Sequence, residues 1–262
     1  MSADPARRTT ATPRPTLSHD ALDAVLFDLD GVVTRTAIVH AHAWKRLFDE
    51  FLRARSKRMS TPFVPFDIDS DYRKYVDGRP RYDGVQTFLE SRGMTLPRGS
   101  EDDPPDAETI SALGKRKDAY FVQAVEEHGV QVYDSTVLLI HELRAAKFKT
   151  AAVSASKNTM RVLNAVKLTD VFDTIMDGNE AERLNLRGKP APDTYLEAAR
   201  RLGTPPARAA IVEDAIAGVE AGRAGGFGEV IGVRRGGATG ALLAHGATVE
   251  VTDMSEVSVH TP

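Results

Sequence analysis

The chain has 262 residues, 42% of them hydrophobic and 27% charged, which is typical of soluble globular proteins. Its formal net charge of −3 gives no electrostatic basis for binding nucleic acid or an acidic membrane surface. The absence of cysteine excludes disulfides, a catalytic thiolate and a cysteine-ligated zinc site. No apolar stretch approaches the length of a membrane span, so we expect a cytoplasmic protein.

The N-terminal half predicts a leader, one strand and a helical insert. Residues 1–20 are rich in Ala, Pro, Arg and Thr and lack the apolar segment of a secretory signal, so we expect a disordered leader. The apolar run 25–27 predicts a strand buried on both faces. Apolar residues then recur every three or four positions, which predicts helices at 37–55, 85–92 and 110–128. We assign residues 35–130 to a small helical domain, called the cap below.

From residue 132 onward, short apolar runs alternate with helical patterns. This alternation predicts an α/β fold, a doubly wound and mostly parallel sheet flanked by helices. We expect strands at 149–153, 174–176, 209–212, 230–233 and 248–251, and helices at 136–146, 156–166, 192–202, 215–224 and 239–244. Residues 21–34 and 131–262 would form this core. Ligands of such sheets bind beyond the carboxyl ends of the strands.

Two carboxylates follow the first predicted strand. Asp28 and Asp30 are separated by one residue, and Gly31 allows a sharp turn directly after them. A carboxylate nucleophile beside a carboxylic acid that moves a proton can carry out phosphoryl transfer. A calcium loop does not fit, because Val32 stands at the next ligand position. The remaining alternative is a strand-end turn with solvated acids.

Hydroxyl groups follow the next predicted strand. Ser154 ends that strand, and the residues after it open a helix whose N-terminus could bind an anion. Lys157 adds a cation there, which favours a bound phosphate. Alternatively, Ser154 or Ser156 could serve only as a helix cap.

Two further segments carry charged residues near predicted helix starts. Pro190 holds Lys189 in an extended conformation, where the lysine could neutralise both an aspartate nucleophile and a phosphate oxygen. A solvated loop lysine is the alternative. Glu213 and Asp214 follow an apolar strand, and paired carboxylates at that position favour Mg²⁺. Alternatively, Asp214 could cap the following helix.

Taken in chain order, these four groups resemble the four motifs of the haloacid dehalogenase superfamily, over residues 23–252. Within it the chain is most similar to the β-phosphoglucomutase branch, whose opening motif resembles residues 27–34. The spacing of that branch is also matched by Thr36, His40, Trp44 and Lys45, and its later signatures by residues 154–158 and 189–193. The resemblance implies an α/β core with a helical cap.

The resemblance also implies a role for each motif residue. Asp28 would be the nucleophile that forms an aspartyl-phosphate, and Asp30 the general acid and base. Ser154 and Lys189 would hold the transferring phosphoryl group. The ligands of Mg²⁺ would be Asp28, the backbone carbonyl of Asp30, Glu213 and Asp214. The substrate-binding residues would be Thr36, His40, Trp44, Gly78, Arg79, Arg81, Ser156, Lys157 and Asn158.

The implied reaction interconverts β-D-glucose 1-phosphate and D-glucose 6-phosphate through glucose 1,6-bisphosphate. Arg81 would grip the distal phosphate, and His40 would link cap closure to Asp30. Sugar phosphates are the expected partners, nucleic acid and membranes are not, and we expect a monomer. A phosphatase of small sugar phosphates or phosphoglycolate is an alternative. A sugar-phosphate sensor without catalysis is another, which the intact acids at 28 and 30 argue against.

Three features depart from the pattern of that branch. Asp77 stands where a lysine is usual. A carboxylate beside a bound phosphate would repel that phosphate. Asp77 must therefore point away from it, pair with Arg79 or Arg81, or bind something else. The segment 51–75 is longer and more aromatic than the resemblance implies. The basic stretch 115–117 is one position out of register, and we interpret it as a solvated helix face. These departures leave the sugar undecided.

Overall fold

A computed structural model describes residues 15–260. Most of the predicted leader, residues 1–14, lies outside this range. The prediction of disorder is wrong for the end of the leader. Thr16–Ser18 forms a strand (β1) that pairs in parallel with Ser258–His260 (β8). The sequence pattern did not reveal these two strands because neither contains an apolar run, and only Leu17 of their six residues is buried. Within residues 15–260, no helix combines the length and apolarity needed to cross a membrane.

The central sheet places the first predicted strand in its middle. Within residues 15–260 it has six parallel strands, in the spatial order β4-β3-β2-β5-β6-β7. Their bounds are Ala24–Phe27 (β2), Lys149–Val153 (β3), Thr174–Met176 (β4), Ala209–Glu213 (β5), Glu229–Val233 (β6) and Val249–Val251 (β7). Strand β2 lies between β3 and β5, with Leu26 opposite Ala151 and Ile211. All four residues of β2 are buried, which explains its continuous apolar run.

The helices follow the predicted order with shifted ends. They are Thr36–Met59 (α1), Arg81–Ser91 (α2), Ile110–His128 (α3), Asp134–Ala145 (α4), Thr159–Ala165 (α5), Gly178–Arg183 (α6), Asp193–Arg201 (α7), Ile216–Ala224 (α8) and Ala241–His245 (α9). A π-helical turn spans Tyr72–Val76. The sequence pattern did not predict α6, whose six residues include none that is buried and which therefore has no apolar periodicity.

The two faces of the sheet build separate apolar clusters. Alternating residues of β2 point to opposite sides, so Phe27 packs with Leu143 of α4, whereas Leu26 packs with Tyr195 of α7. A third cluster is formed mainly by α1, α2 and α3, and Tyr120 of α3 packs against both this cluster and the one that contains Phe27. The helices of residues 35–130 therefore have an apolar interior of their own that also contacts the core under the sheet.

The third cluster accounts for the unusual aromatic residues of segment 51–75. Phe66 is fully buried there and meets Phe88 of α2 edge-on, with ring centroids 5.0 Å apart. The carboxylate of Asp49 accepts a hydrogen bond from the backbone N–H of Phe66 at 2.8 Å. Lys45 donates to the backbone carbonyl of Phe66 at 2.8 Å. These contacts fix the irregular segment onto α1 through backbone groups, which do not need a helical sequence pattern.

Two leucines of α4 provide a test of the core packing. Leu143 is fully buried and Leu138 is 63% exposed. We expect Leu143→Ala to lower the free energy of unfolding by about 2–5 kcal/mol, because it leaves a cavity under the sheet. We expect the matched control Leu138→Ala to change it by no more than about 0.5 kcal/mol. Urea unfolding of both variants measures the difference, and equal losses would contradict the packing described here.

Candidate active site

The carboxyl ends of three adjacent parallel strands bring the predicted site residues together. Asp28 directly follows β2, Ser154 follows β3, and Glu213 ends β5. Asp28 lines the floor of a cavity of about 680 Å³ between the sheet edge and the cap, and Ser154 and Glu213 are buried next to that floor. The residues singled out from the sequence that line this cavity are Asp28, Asp30, His40, Trp44, Gly78, Arg79, Arg81, Ser156, Lys157, Asn158, Lys189 and Asp214. Thr36, Ser154 and Glu213 are buried and contact the lining residues.

Lys189 is buried between two carboxylates. Its Nζ donates to Asp28 Oδ1, lies 2.6 Å from Glu213 Oε1, and has a side-chain exposure of 1%. The hydroxyl of Tyr195 donates to the same Glu213 oxygen at 2.7 Å. Burial alone would lower the pKa of Lys189, but the carboxylates of Asp28 and Glu213 outweigh it and raise that pKa. Lys189 is therefore a fixed cation at the site, and the solvated-loop alternative is wrong.

Three carboxylates nevertheless exceed the one lysine charge. Asp28, Glu213 and Asp214 each place an oxygen within 4.8 Å of the others. Burial raises the pKa of Asp214, and Asp77, Asp28 and Glu213 raise it further. Its Oδ1 is buried and has no hydrogen-bond partner among the described residues. This surplus of oxygen ligands and negative charge fits a hard divalent cation.

Two glycines allow the carboxylates to approach so closely. Gly31 has φ +92°, and a Cβ at that position would come within 1.8 Å of Asp214 Oδ2. A Cβ at Gly218 would lie 1.7 Å from Glu213 Oε1.

Helix α8 begins at Ile216 with Ala215 at its N-cap, so the interpretation of Asp214 as a helix cap is wrong.

Asp30 is held by groups from the core and the cap. Thr36 Oγ1 donates to its Oδ1, Ser154 Oγ donates to its Oδ2 at 3.3 Å, and His40 Nε2 lies 3.3 Å from Oδ1. Burial would raise the pKa of Asp30, but His40, Thr36 and Lys117 outweigh it and lower that pKa to about 2. Asp30 is therefore ionised, and its orientation depends on a histidine of cap helix α1.

The sequence analysis missed Lys117. This residue of α3 is buried, its Nζ lies 2.5 Å from His40 Nδ1, and it stands 5.0 Å from the ring centroid of Trp44. Burial lowers the pKa of Lys117 to about 7. The interpretation of 115–117 as a solvated helix face is wrong at this position. The spacing of Leu113, Lys117 and Phe121, every fourth residue along one buried stripe, could have revealed it.

Another part of the cavity lining carries cations and an amide. Arg81 of α2 donates to Asp118 Oδ1 at 2.7 Å, and Asn158 of the core donates to the same oxygen at 2.7 Å. Lys157 pairs with Glu182 at 2.8 Å. Cap and core also touch directly, because a Cβ at Gly188 would lie 2.0 Å from the Cγ atom of the cap's Pro80. The predicted phosphate-binding residues of the two domains therefore face one cavity.

Asp77 points toward the acidic floor of the cavity. It accepts a hydrogen bond from the hydroxyl of Tyr72, and its nearby cation is Arg73. Burial raises the pKa of Asp77 to about 7, and Glu213 and Asp30 add to that rise. Within the part of the chain that the structure describes, Asp77 forms no ion pair with Arg79 or Arg81, and Arg81 pairs with Asp118 instead.

Replacing Lys117 tests its burial. Because its pKa falls to about 7 from an ordinary 10.5, the unfolded chain holds a proton that the folded chain releases between those values. The free energy of unfolding of the wild type should therefore increase as pH rises from about 7 to about 10.5. The Lys117→Met variant has no such amine, so its free energy of unfolding should lack this increase. Urea unfolding measures the free energy of unfolding of the variant minus that of the wild type. We expect this difference to be larger at about pH 6.5 than at about pH 9.5.

The control for this experiment is Lys115→Met on the same helix. Its amine donates to the backbone carbonyls of Glu101 and Asp103 instead of entering the cavity. A stability difference between Lys117→Met and wild type that does not change with pH would contradict the assignment.

Comparisons with known proteins agree with the predicted fold and the predicted family. The family model of haloacid dehalogenase-like hydrolases matches residues 22–226. A β-phosphoglucomutase of Mycobacterium bovis is 45% identical over 237 residues, which cover 89% of this chain and 90% of that protein. An uncharacterized glycosyl hydrolase of Mycobacterium tuberculosis is 36% identical over 247 residues, which cover 94% of this chain and 18% of that protein.

The crystal structure of a β-phosphoglucomutase from Clostridium difficile has a similar fold. It superposes with a TM-score of 0.69 at 25% identity, covering 90% of this chain and 92% of that one. The predicted α/β fold class and the predicted resemblance are confirmed by these findings. The chain belongs to the haloacid dehalogenase-like hydrolase family.

Proposed function

We propose that this protein interconverts β-D-glucose 1-phosphate and D-glucose 6-phosphate through glucose 1,6-bisphosphate, using Asp28 as the phosphoryl acceptor. The observation that carries the proposal is one cavity with two different walls. Asp28 and Lys189, with Glu213 buried next to them, form its floor, and Arg81 and Asn158 line another part of it. A bisphosphate needs both a reacting site and a grip for its second phosphate.

In the proposed transfer, a carboxylate oxygen of Asp28 attacks phosphorus and the sugar oxygen leaves. Lys189, fixed beside Asp28, neutralises the charge that the phosphoryl oxygens bring to the floor. In the reverse transfer a sugar hydroxyl attacks the phosphorylated Asp28 and passes its proton to Asp30. Asp30 is ionised and can accept that proton. In the transfer to Asp28, the protonated Asp30 donates the proton to the leaving sugar oxygen.

The acidic floor also supports a role for Mg²⁺. The carboxylates of Asp28, Glu213 and Asp214, together with the backbone carbonyl of Asp30, would hold the ion. Bound there, Mg²⁺ would supply positive charge to the transferring phosphoryl oxygens. The unpartnered Oδ1 of Asp214 supports this assignment.

The part of the cavity lined by Arg81 and Asn158 supports a binding site for the second phosphate. Arg81 can bond a phosphate bidentately, and Asn158 can donate to it from the core side. Ser156, Lys157, Gly78 and Arg79 line the same cavity, with Gly78 close to Ala215. The Lys117–His40–Asp30 chain would link the position of the cap to the proton-transfer group, because two of its members are cap residues.

The relatives support this substrate class. Proteins similar to the chain over most of their length are named β-phosphoglucomutases. A segment similar to the chain also occurs inside a much longer uncharacterized glycosyl hydrolase, which is consistent with a sugar as part of the substrate. A small sugar-phosphate phosphatase is the second candidate, because the family is described as a hydrolase and water could also attack a phosphorylated Asp28.

Product analysis by phosphorus NMR distinguishes the two candidates. We expect β-D-glucose 1-phosphate with Mg²⁺ and a trace of glucose 1,6-bisphosphate to give glucose 6-phosphate with little free phosphate. Asp28→Asn is the control and should abolish turnover. Accumulation of inorganic phosphate in place of glucose 6-phosphate would replace the mutase proposal with the phosphatase.

Arg81→Ala tests the second-phosphate grip. Losing a charge-assisted bidentate contact should lower kcat/KM for isomerisation by about 10–150-fold. Hydrolysis of acetyl phosphate, which has no second phosphate, should change by less than about threefold. Arg187→Ala is the matched control, because the Arg187 side chain also borders the cavity but is 77% exposed and pairs with Asp193. Equal losses in both reactions would contradict the grip.

A further inference from the structure

One carboxylate occupies the donors of the proposed second-phosphate grip. Asp118 Oδ1 accepts from Arg81 Nη2 and from Asn158 Nδ2, each at 2.7 Å. Arg81 begins cap helix α2, and Asn158 precedes core helix α5. A single oxygen of Asp118 therefore ties the cap to the core at this wall of the cavity.

The charge of Asp118 matters as well as its hydrogen bonds. An amide oxygen could accept from the same two donors, but only a carboxylate also cancels the charge of Arg81. The side chains of Arg81 and Asp118 are 16% and 31% exposed, so water screens this pair only partly. Lys157 on the same wall is likewise paired, with Glu182. The charges of Arg81 and Lys157 are thus each offset by a carboxylate before any ligand binds.

We propose that Asp118 is an internal competitor for the non-reacting phosphate of the sugar bisphosphate. This inference rests on the proposed function, in which Arg81 and Asn158 hold that phosphate. Asp118 latches cap to core in the unliganded protein, and it must release both donors when a phosphate takes them. Its carboxylate then lies beside a dianion and weakens binding, so Asp118 sets the affinity for doubly phosphorylated ligands.

Asp118→Asn separates charge from shape, because asparagine keeps the size and an acceptor oxygen. Calorimetric titration with glucose 1,6-bisphosphate can use an Asp28→Asn parent, in which no phosphoryl transfer interferes. We expect the added Asp118→Asn substitution to lower the Kd by about tenfold, since it removes like charge from the bound phosphate. Asp83→Asn is the matched control, because Asp83 is an exposed acid of α2 on the same cavity. It should leave the Kd within about twofold.

The outcomes are distinct. Binding that Asp118→Asn leaves unchanged or weakens would overturn the competitor role while leaving the proposed function intact. Equal tightening by Asp83→Asn would also overturn it, because the effect would then be one of overall charge. Failure of the Asp28→Asn parent to bind the bisphosphate would overturn the proposed function and this inference together.

Discussion

The site depends on one buried ammonium group between two buried carboxylates. Lys189 reaches Asp28 and Glu213, which end adjacent strands of the sheet, and side-chain exposure is 8% or less for all three. Burying such acids without a partner would cost several kcal/mol each. The lysine offsets only part of that charge, so the floor of the cavity retains affinity for cations. In the proposed function, a cation bound to these carboxylates would offset the negative charge that a phosphoryl group brings to the floor.

The cap completes the site by acting on the second carboxylate. Asp30 belongs to the core, but its oxygen faces His40, and His40 is held in turn by Lys117 on another cap helix. Movement of the cap would therefore change the surroundings of Asp30 directly. At the far wall Arg81 and Asp118 from the cap meet Asn158 from the core. Both ends of the cavity thus require the two domains together.

Much of this arrangement could be predicted from the sequence, for a physical reason. In a parallel sheet the carboxyl ends of the strands lie on one edge, so Asp28, Ser154 and Glu213 had to converge once the strands were recognised. Lys117 was missed because a basic run resembles a solvated surface unless its position in an apolar stripe is considered. The Asp118–Asn158 contact joins residues 40 apart across two domains, and no local pattern encodes such a distance.

The proposed function depends on phosphorylation of the Asp28 carboxylate during turnover, and chemical trapping tests this step most directly. Acid-quenched enzyme, taken during turnover of glucose 1,6-bisphosphate, can be reduced with borohydride, which converts an acyl phosphate to an alcohol. Peptide mass spectrometry then locates the modified residue. We expect homoserine at position 28, and its absence during active turnover, or its appearance at another carboxylate, would contradict the account.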